Sequence, residues 1–142
     1  MNSELRRQLV AITLEWESRF GIAPPITSAI SEYDAGRLVG CSEQEFRASR
    51  KQRTTVSKGY DFIFQNKRYQ VKANRPSGKP GSFVTRVGKP NNYDWDYLVW
   101  ILYDRNYEIQ EVWGWPVEKY RAEFGSTKRL SPNDMRRGER LK

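Results

Sequence analysis

"GYDFIFQNKRYQVKA", residues 59–73, decides how the chain is read. Apolar and polar residues alternate through it with the period of a half-buried strand. Asn66-Lys67 at its centre reads as a two-residue turn, because Asn tolerates the positive φ that such turns need. With that turn Phe64 pairs with Tyr69, Phe62 with Val71 and Asp61 with Lys72. One face of the hairpin is then Phe62, Phe64, Tyr69 and Val71, and the other gathers Asp61, Gln70 and Lys72. A slip of one residue would scatter both sets, so the apolar pattern itself protects the register. The acid and the ammonium group are then either a cross-strand ion pair, worth about 0.2–1 kcal/mol, or parts of a site.

The rest of the chain restricts what such a site can do. At 142 residues and 37% hydrophobic content the sequence can bury one core, so 1–142 is expected to be one domain. Its parts are a helical stretch 1–50, a sheet region 54–115 holding the hairpin, and a closing helix with a basic tail, 116–142. There is no histidine and one cysteine, Cys41. That excludes an intramolecular disulfide, a structural zinc site, a Ser-His-Asp triad and a histidine general base. Any hydrolysis must rely on carboxylates, lysine, tyrosine or a hard metal ion. No apolar run reaches the length of a membrane span, and the N-terminus has acids among its apolar residues, unlike a signal peptide. A soluble, cytoplasmic protein with no membrane partner is expected.

Charge is unevenly placed. The net value is +8, yet residues 47–92 alone carry twelve Lys/Arg against one acid, Asp61. Residues 1–46 and 93–124 are mildly acidic, and the last eighteen residues are basic again. Lysine and arginine concentrated in this way suit a polyphosphate partner, whose condensed counterions they release, so nucleic acid is the expected partner. A solvated basic surface or attraction to anionic lipid is the plainer alternative.

Ahead of the hairpin, Leu5, Leu9, Ile12 and Trp16 recur at helical spacing and predict a helix over 3–20, ended by Gly21. Thr27 is placed to cap a second helix reaching about Gly40. This helix carries Glu32, whose neighbours three and four residues away (Ser28, Ala29, Ala35, Gly36) are all small, so that face can approach another element closely. Asp34 is the nearest competing acid. Ser42 and Glu45 make a capping-box pattern for a short helix ending in "RASRKQR".

A helix carrying Glu32, a hairpin carrying Asp61, and Gln70-Val71-Lys72 on the second strand together resemble the PD-(D/E)xK restriction-endonuclease-like superfamily over roughly residues 28–115. Tyr60 stands where the family has proline, and Gln70 stands where an acid is usual, as in the QxK variant of the Mrr type. The resemblance implies an α/β fold with a central mixed β-sheet flanked by helices, and a metal-dependent endonuclease that hydrolyses phosphodiesters. It further implies Mg²⁺, with Mn²⁺ able to substitute, held by Asp61, Gln70, the carbonyl of Val71 and Glu32. Lys72 would hold the attacking water or offset transition-state charge. The implied partner is double-stranded or branched DNA, and cutting both strands would favour a homodimer. A non-catalytic nucleic-acid-binding module on the same scaffold, and an all-β RNA-binding domain, are the alternatives.

Basic residues before and after the hairpin, Arg50, Lys51, Arg53, Lys58, Arg75, Lys79, Arg86 and Lys89, are the candidates for tracking a nucleic-acid backbone. Residues 74–92 read as a Gly/Pro-rich loop around a short strand-like "FVTRV". "DYLVWILYD", 96–104, is a nearly continuous apolar strand and predicts burial on both sides. "YEIQEVWGW" predicts its neighbour, and Pro116 opens a closing helix. Trp95, Trp100, Trp113 and Trp115 are expected in packing rather than in base stacking. The tail is expected either to dock irregularly or to remain a basic arm.

Overall fold

The computed structural model describes residues 3–51, 59–77 and 79–142. Three helices come first: α1 (Glu4–Phe20), α2 (Thr27–Leu38) and α3 (Glu43–Lys51). The strands β1 (Phe62–Phe64), β2 (Lys67–Asn74), β3 (Tyr97–Tyr103) and β4 (Ile109–Pro116) follow, then α4 (Val117–Phe124), α5 (Pro132–Met135) and β5 (Glu139–Arg140). They form one five-stranded mixed sheet in the order β1-β2-β3-β4-β5, with β2 and β3 parallel and the other neighbours antiparallel. The chain is thus α/β, with helices flanking a mixed sheet.

Strand β3 has the two-sided burial its sequence predicts, since successive side chains of a strand point to opposite faces. Val99, Ile101 and Tyr103 join one core cluster with Tyr69, Val71, Phe62, Ile30 and Ala35. Leu98 and Trp100 join the other with Trp95, Trp115, Tyr120, Phe124, Leu130 and Met135. Trp95, Trp100 and Trp115 are buried as expected, and Trp113 is half-buried. The tail docks: Leu130 and Met135 are buried, Ser131 and Asp134 form a capping box for α5, and β5 pairs with β4. "FVTRV" forms no strand; only Val87 bridges to Leu130.

The hairpin turn falls one residue earlier than its sequence suggests. Gln65 and Asn66 are the central pair, with φ of 50° and 63°, the signature of a type I′ turn. Phe62 therefore pairs with Tyr69 and Phe64 with Lys67, not Phe62 with Val71. The turn still holds two residues, so the pairing moves by two and every side chain keeps its face. This register stacks Phe62 on Tyr69, ring centroids 4.9 Å apart and nearly parallel, and sets Asp61 beside Gln70 instead of Lys72.

Two helix expectations also change. Thr27 lies within α2, capped by the backbone of Ile26, and its hydroxyl meets that of Tyr107 at 3.3 Å. The Ser42–Glu45 capping box forms as read, with bonds of 3.0 and 3.1 Å. In α1 the periodic stripe Leu5, Leu9, Ile12 and Trp16 is solvent-exposed, and Val10 and Thr13 are buried instead. The helix docks largely through charge. Arg6 makes a two-pronged bond to Asp34 at 2.7 and 2.8 Å, and Arg75 makes one to Glu17 at 3.1 and 2.9 Å.

Candidate active site

Asp61 sits at the entry to β1, where the chain leaves Gly59. That glycine has φ +77°, and a Cβ there would lie 2.3 Å from the Asn92 side chain, so this position requires glycine. Asp61 turns one carboxylate oxygen, Oδ2, onto β2. It accepts the backbone N–H of Val71 at 2.7 Å and the side-chain Nε2–H of Gln70 at 3.1 Å. Its other oxygen, Oδ1, accepts no hydrogen bond among the described residues. Because Gln70 donates its amide N–H₂ to the carboxylate, its carbonyl oxygen is left as an acceptor. Gln70 thus helps orient Asp61.

Lys72 lies two residues further along β2, on the same strand face as Gln70. It makes no ion pair or hydrogen bond with any described residue. Helix α2 supplies the opposite wall. Ser28, Ser31 and Glu32 of α2 line a cleft of about 300 Å³ together with Thr27, Asp61, Gln70, Val71, Lys72 and Ala73. The small residues around Glu32 let the helix pack close to β2, and the glutamate comes with it. All five residues singled out for chemistry from the sequence line this cleft.

Arg50 has a different place from the one its sequence suggests. Its Nη1 pairs with Glu32 Oε2 at 2.6 Å and donates to the backbone carbonyl of Asp61 at 3.1 Å. The guanidinium thereby ties α3 to both acidic positions. Nothing in the local sequence marks this role; it follows from α3 crossing the end of β1, where Ser49 also accepts the N–H of Ile63 at 2.6 Å. Asp34, the competing acid, is 3% exposed and taken by Arg6 and by the Tyr103 hydroxyl at 2.6 Å. Burial first, and then the Asp34 charge, push the Tyr103 hydroxyl well above its ordinary pKa.

The expected nucleic-acid residues divide. Arg75 is held by Glu17, by the Arg105 carbonyl and over the Tyr107 ring. Lys89 donates to the carbonyls of Phe124 and Thr127, both at 2.7 Å, at the C-terminus of α4. These two cations are engaged inside the protein. Lys79 and Arg86 are exposed. Arg53, Lys58 and the side chain of Lys51 lie outside the described residues.

The oxygen donors of the cleft are of the kind that suits a hard cation. Two carboxylates, an amide oxygen and the backbone at Val71 offer only oxygen, the ligand chemistry of Mg²⁺, which needs one or two carboxylates and keeps several waters. Among the described residues no group of three His, Cys, Asp or Glu side chains is placed to hold a metal. None of the described helices is long and apolar enough to cross a membrane. Neither protein-family models nor curated proteins give a match to this chain.

Proposed function

We propose that the chain is a metal-dependent endonuclease of restriction-endonuclease-like fold that hydrolyses phosphodiester bonds in DNA. The observation that carries this reading is the convergence of Asp61, Gln70, Val71, Lys72 and Glu32 on one open cleft. In the reaction a water oxygen adds to phosphorus and the bond to the leaving sugar oxygen breaks, giving a phosphomonoester and an alcohol. Lys72, which has no partner among the described residues, would hold the attacking water and offset the negative charge that develops on the phosphoryl oxygens. Asp61 would be the principal ligand for Mg²⁺ or Mn²⁺, through the oxygen that accepts no hydrogen bond among the described residues. Gln70 orients Asp61 and would offer its own carbonyl oxygen, and Glu32 and the Val71 backbone would complete the set. The bound ion would polarise the scissile phosphate and lower the pKa of a bound water.

A second reading is favoured by one contact. Arg50 already neutralises Glu32 at 2.6 Å, and Gln70 brings no charge, so among the described residues Asp61 is the carboxylate of the cleft without a cationic partner. A cleft of that charge also suits simple docking of a phosphate on Lys72, making the chain a DNA-binding module. Supercoiled plasmid incubated with purified protein, with and without Mg²⁺ or Mn²⁺, separates the two. The nuclease reading expects metal-dependent nicking that falls at least about 100-fold in Asp61→Ala and Lys72→Ala. Retarded but uncut DNA under all conditions, with binding retained by Asp61→Ala, selects the module.

A further inference from the structure

Helix α1 is oriented against the usual rule. Leu5, Leu9, Ile12, Trp16 and Phe20 are 73, 37, 62, 51 and 63% exposed, a continuous apolar stripe along all four turns. The inward side is fixed by Val10, Thr13, Arg6 on Asp34 and Glu17 on Arg75. Rotating the helix to bury the stripe would break both ion pairs. We propose that this stripe is the contact through which two copies of the chain pair, their α1 helices antiparallel about a two-fold axis. The proposal is independent of the nuclease reading.

The stripe is self-complementary in that arrangement and in few others. Leu5, Leu9, Ile12 and Trp16 are spaced four, three and four residues apart, the seam of a coiled coil. A two-fold axis between positions 9 and 12 sets Leu9 on Ile12 of the second copy and Leu5 on its Trp16. Each layer then pairs unlike shapes of compatible size. A parallel pair would instead stack Trp16 on Trp16 and Leu5 on Leu5, leaving layers of unequal width, and would align the helix dipoles.

A hollow receives the large residue. Leu5, Leu9, Ile30, Tyr33 and Phe46 line an apolar pocket of about 180 Å³ between α1, α2 and α3. Trp16 of the second copy, seated beside Leu5, lies at its mouth. An aromatic anchor in an apolar pocket is the form that binding hot spots take.

Area and charge agree with a second copy as the occupant. At these exposures the five residues present on the order of 500 Å² per copy, so a pair that covers the whole stripe, Phe20 at its end included, buries roughly 1,000 Å², the lower bound for a specific interface. The helix is already ordered by its own domain, so little conformational entropy is lost on pairing. A membrane-surface helix would border its apolar face with Lys and Arg. The exposed charges of α1 instead balance, Glu4 with Arg7 and Glu15 with Arg19.

Sedimentation equilibrium of the full chain at about 50 µM, above the micromolar Kd usual for an interface of this size, tests the proposal. A dimer is expected. Ile12→Glu and Trp16→Glu should each raise its Kd at least about 30-fold. Phe83→Ser, which removes an exposed aromatic elsewhere, should leave the dimer unchanged. Unaltered melting curves keep the comparison free of unfolding. Under mild oxidation the Leu5→Cys/Trp16→Cys chain should cross-link between copies and Leu5→Cys alone should not; Cys41, being buried, stays silent. A monomeric wild-type chain would overturn the proposal, whether or not it then floats with anionic vesicles. So would a dimer indifferent to both glutamate substitutions, or efficient cross-linking through Leu5→Cys alone.

Discussion

In the proposed nuclease, Gln70 is the residue on which the chemistry of the cleft would turn. Its amide N–H₂ steadies Asp61 at 3.1 Å, and a glutamate there would lose that bond and add a second negative charge beside the first. Gln70→Glu is therefore expected to lower stability by about 1 kcal/mol in metal-free buffer. It should also tighten Mn²⁺ binding by roughly tenfold, because a hard cation gains a charged oxygen ligand. Calorimetric titration with Mn²⁺ and melting with and without the ion read both effects. A variant that binds Mn²⁺ no better than the wild type would remove position 70 from the ligand set. That acid and amide share a face is legible in the sequence, because strand alternation is indifferent to a two-residue shift; that they are direct neighbours is not, since the sequence pairs Asp61 with Lys72. The position of the turn is not legible, since Asn66 satisfies a positive φ at either central position.

Elements are joined here by ionic contacts that a hydrophobic pattern does not reveal. Helix α1 depends on Asp34, which accepts Arg6 twice and the Tyr103 hydroxyl while almost fully buried. Asp34→Ala leaves a part-buried guanidinium without its anion and should cost about 3–5 kcal/mol in urea unfolding. Lys89 does comparable work for α4, satisfying two carbonyls at its negative end. Lys89→Met is expected to lose about 2 kcal/mol of stability while DNA affinity stays within about twofold. Lys72→Met should show the opposite pattern, near-native melting with weakened binding. If Lys89→Met proved as stable as wild type and bound DNA poorly, Lys89 would belong to the interface and not to the helix end. In the sequence these lysines and arginines have equal standing as candidates, because charge density says where cations are and not which carbonyls or acids will claim them.

At the scale of the whole molecule, the absence of histidine leaves no side chain that ordinarily titrates between about pH 5 and 8. Acid sensitivity comes instead from carboxylates paired with arginine. Arg75 holds Glu17, Arg68 holds Asp96 and Arg136 holds Glu111 below their ordinary values of 4.5, 3.8 and 4.5. A lowered folded-state pKa gives stability that is present above the unfolded value and lost as pH falls through the folded one. The melting temperature should thus be nearly level from about pH 7 to 5 and fall below about pH 4. Glu17→Gln should melt lower than wild type at neutral pH and converge with it as the pH falls through the lowered folded-state pKa of Glu17, where the wild-type carboxyl gains its proton and its advantage is lost. A constant gap across that range would mean that the Glu17–Arg75 contact acts by shape and not by charge.

The sequence by itself determined β1 to β4, the two-sided burial of β3, and the convergence of Asp61, Gln70 and Lys72 on one face. Those features rest on local period and parity, which survive small errors of register. Only the tertiary structure decided that Arg50 binds Glu32, that Lys89 closes α4, and that the apolar stripe of α1 faces outward. Each of these depends on which distant group arrives nearby in three dimensions, and a linear pattern of apolar and charged residues carries no record of that.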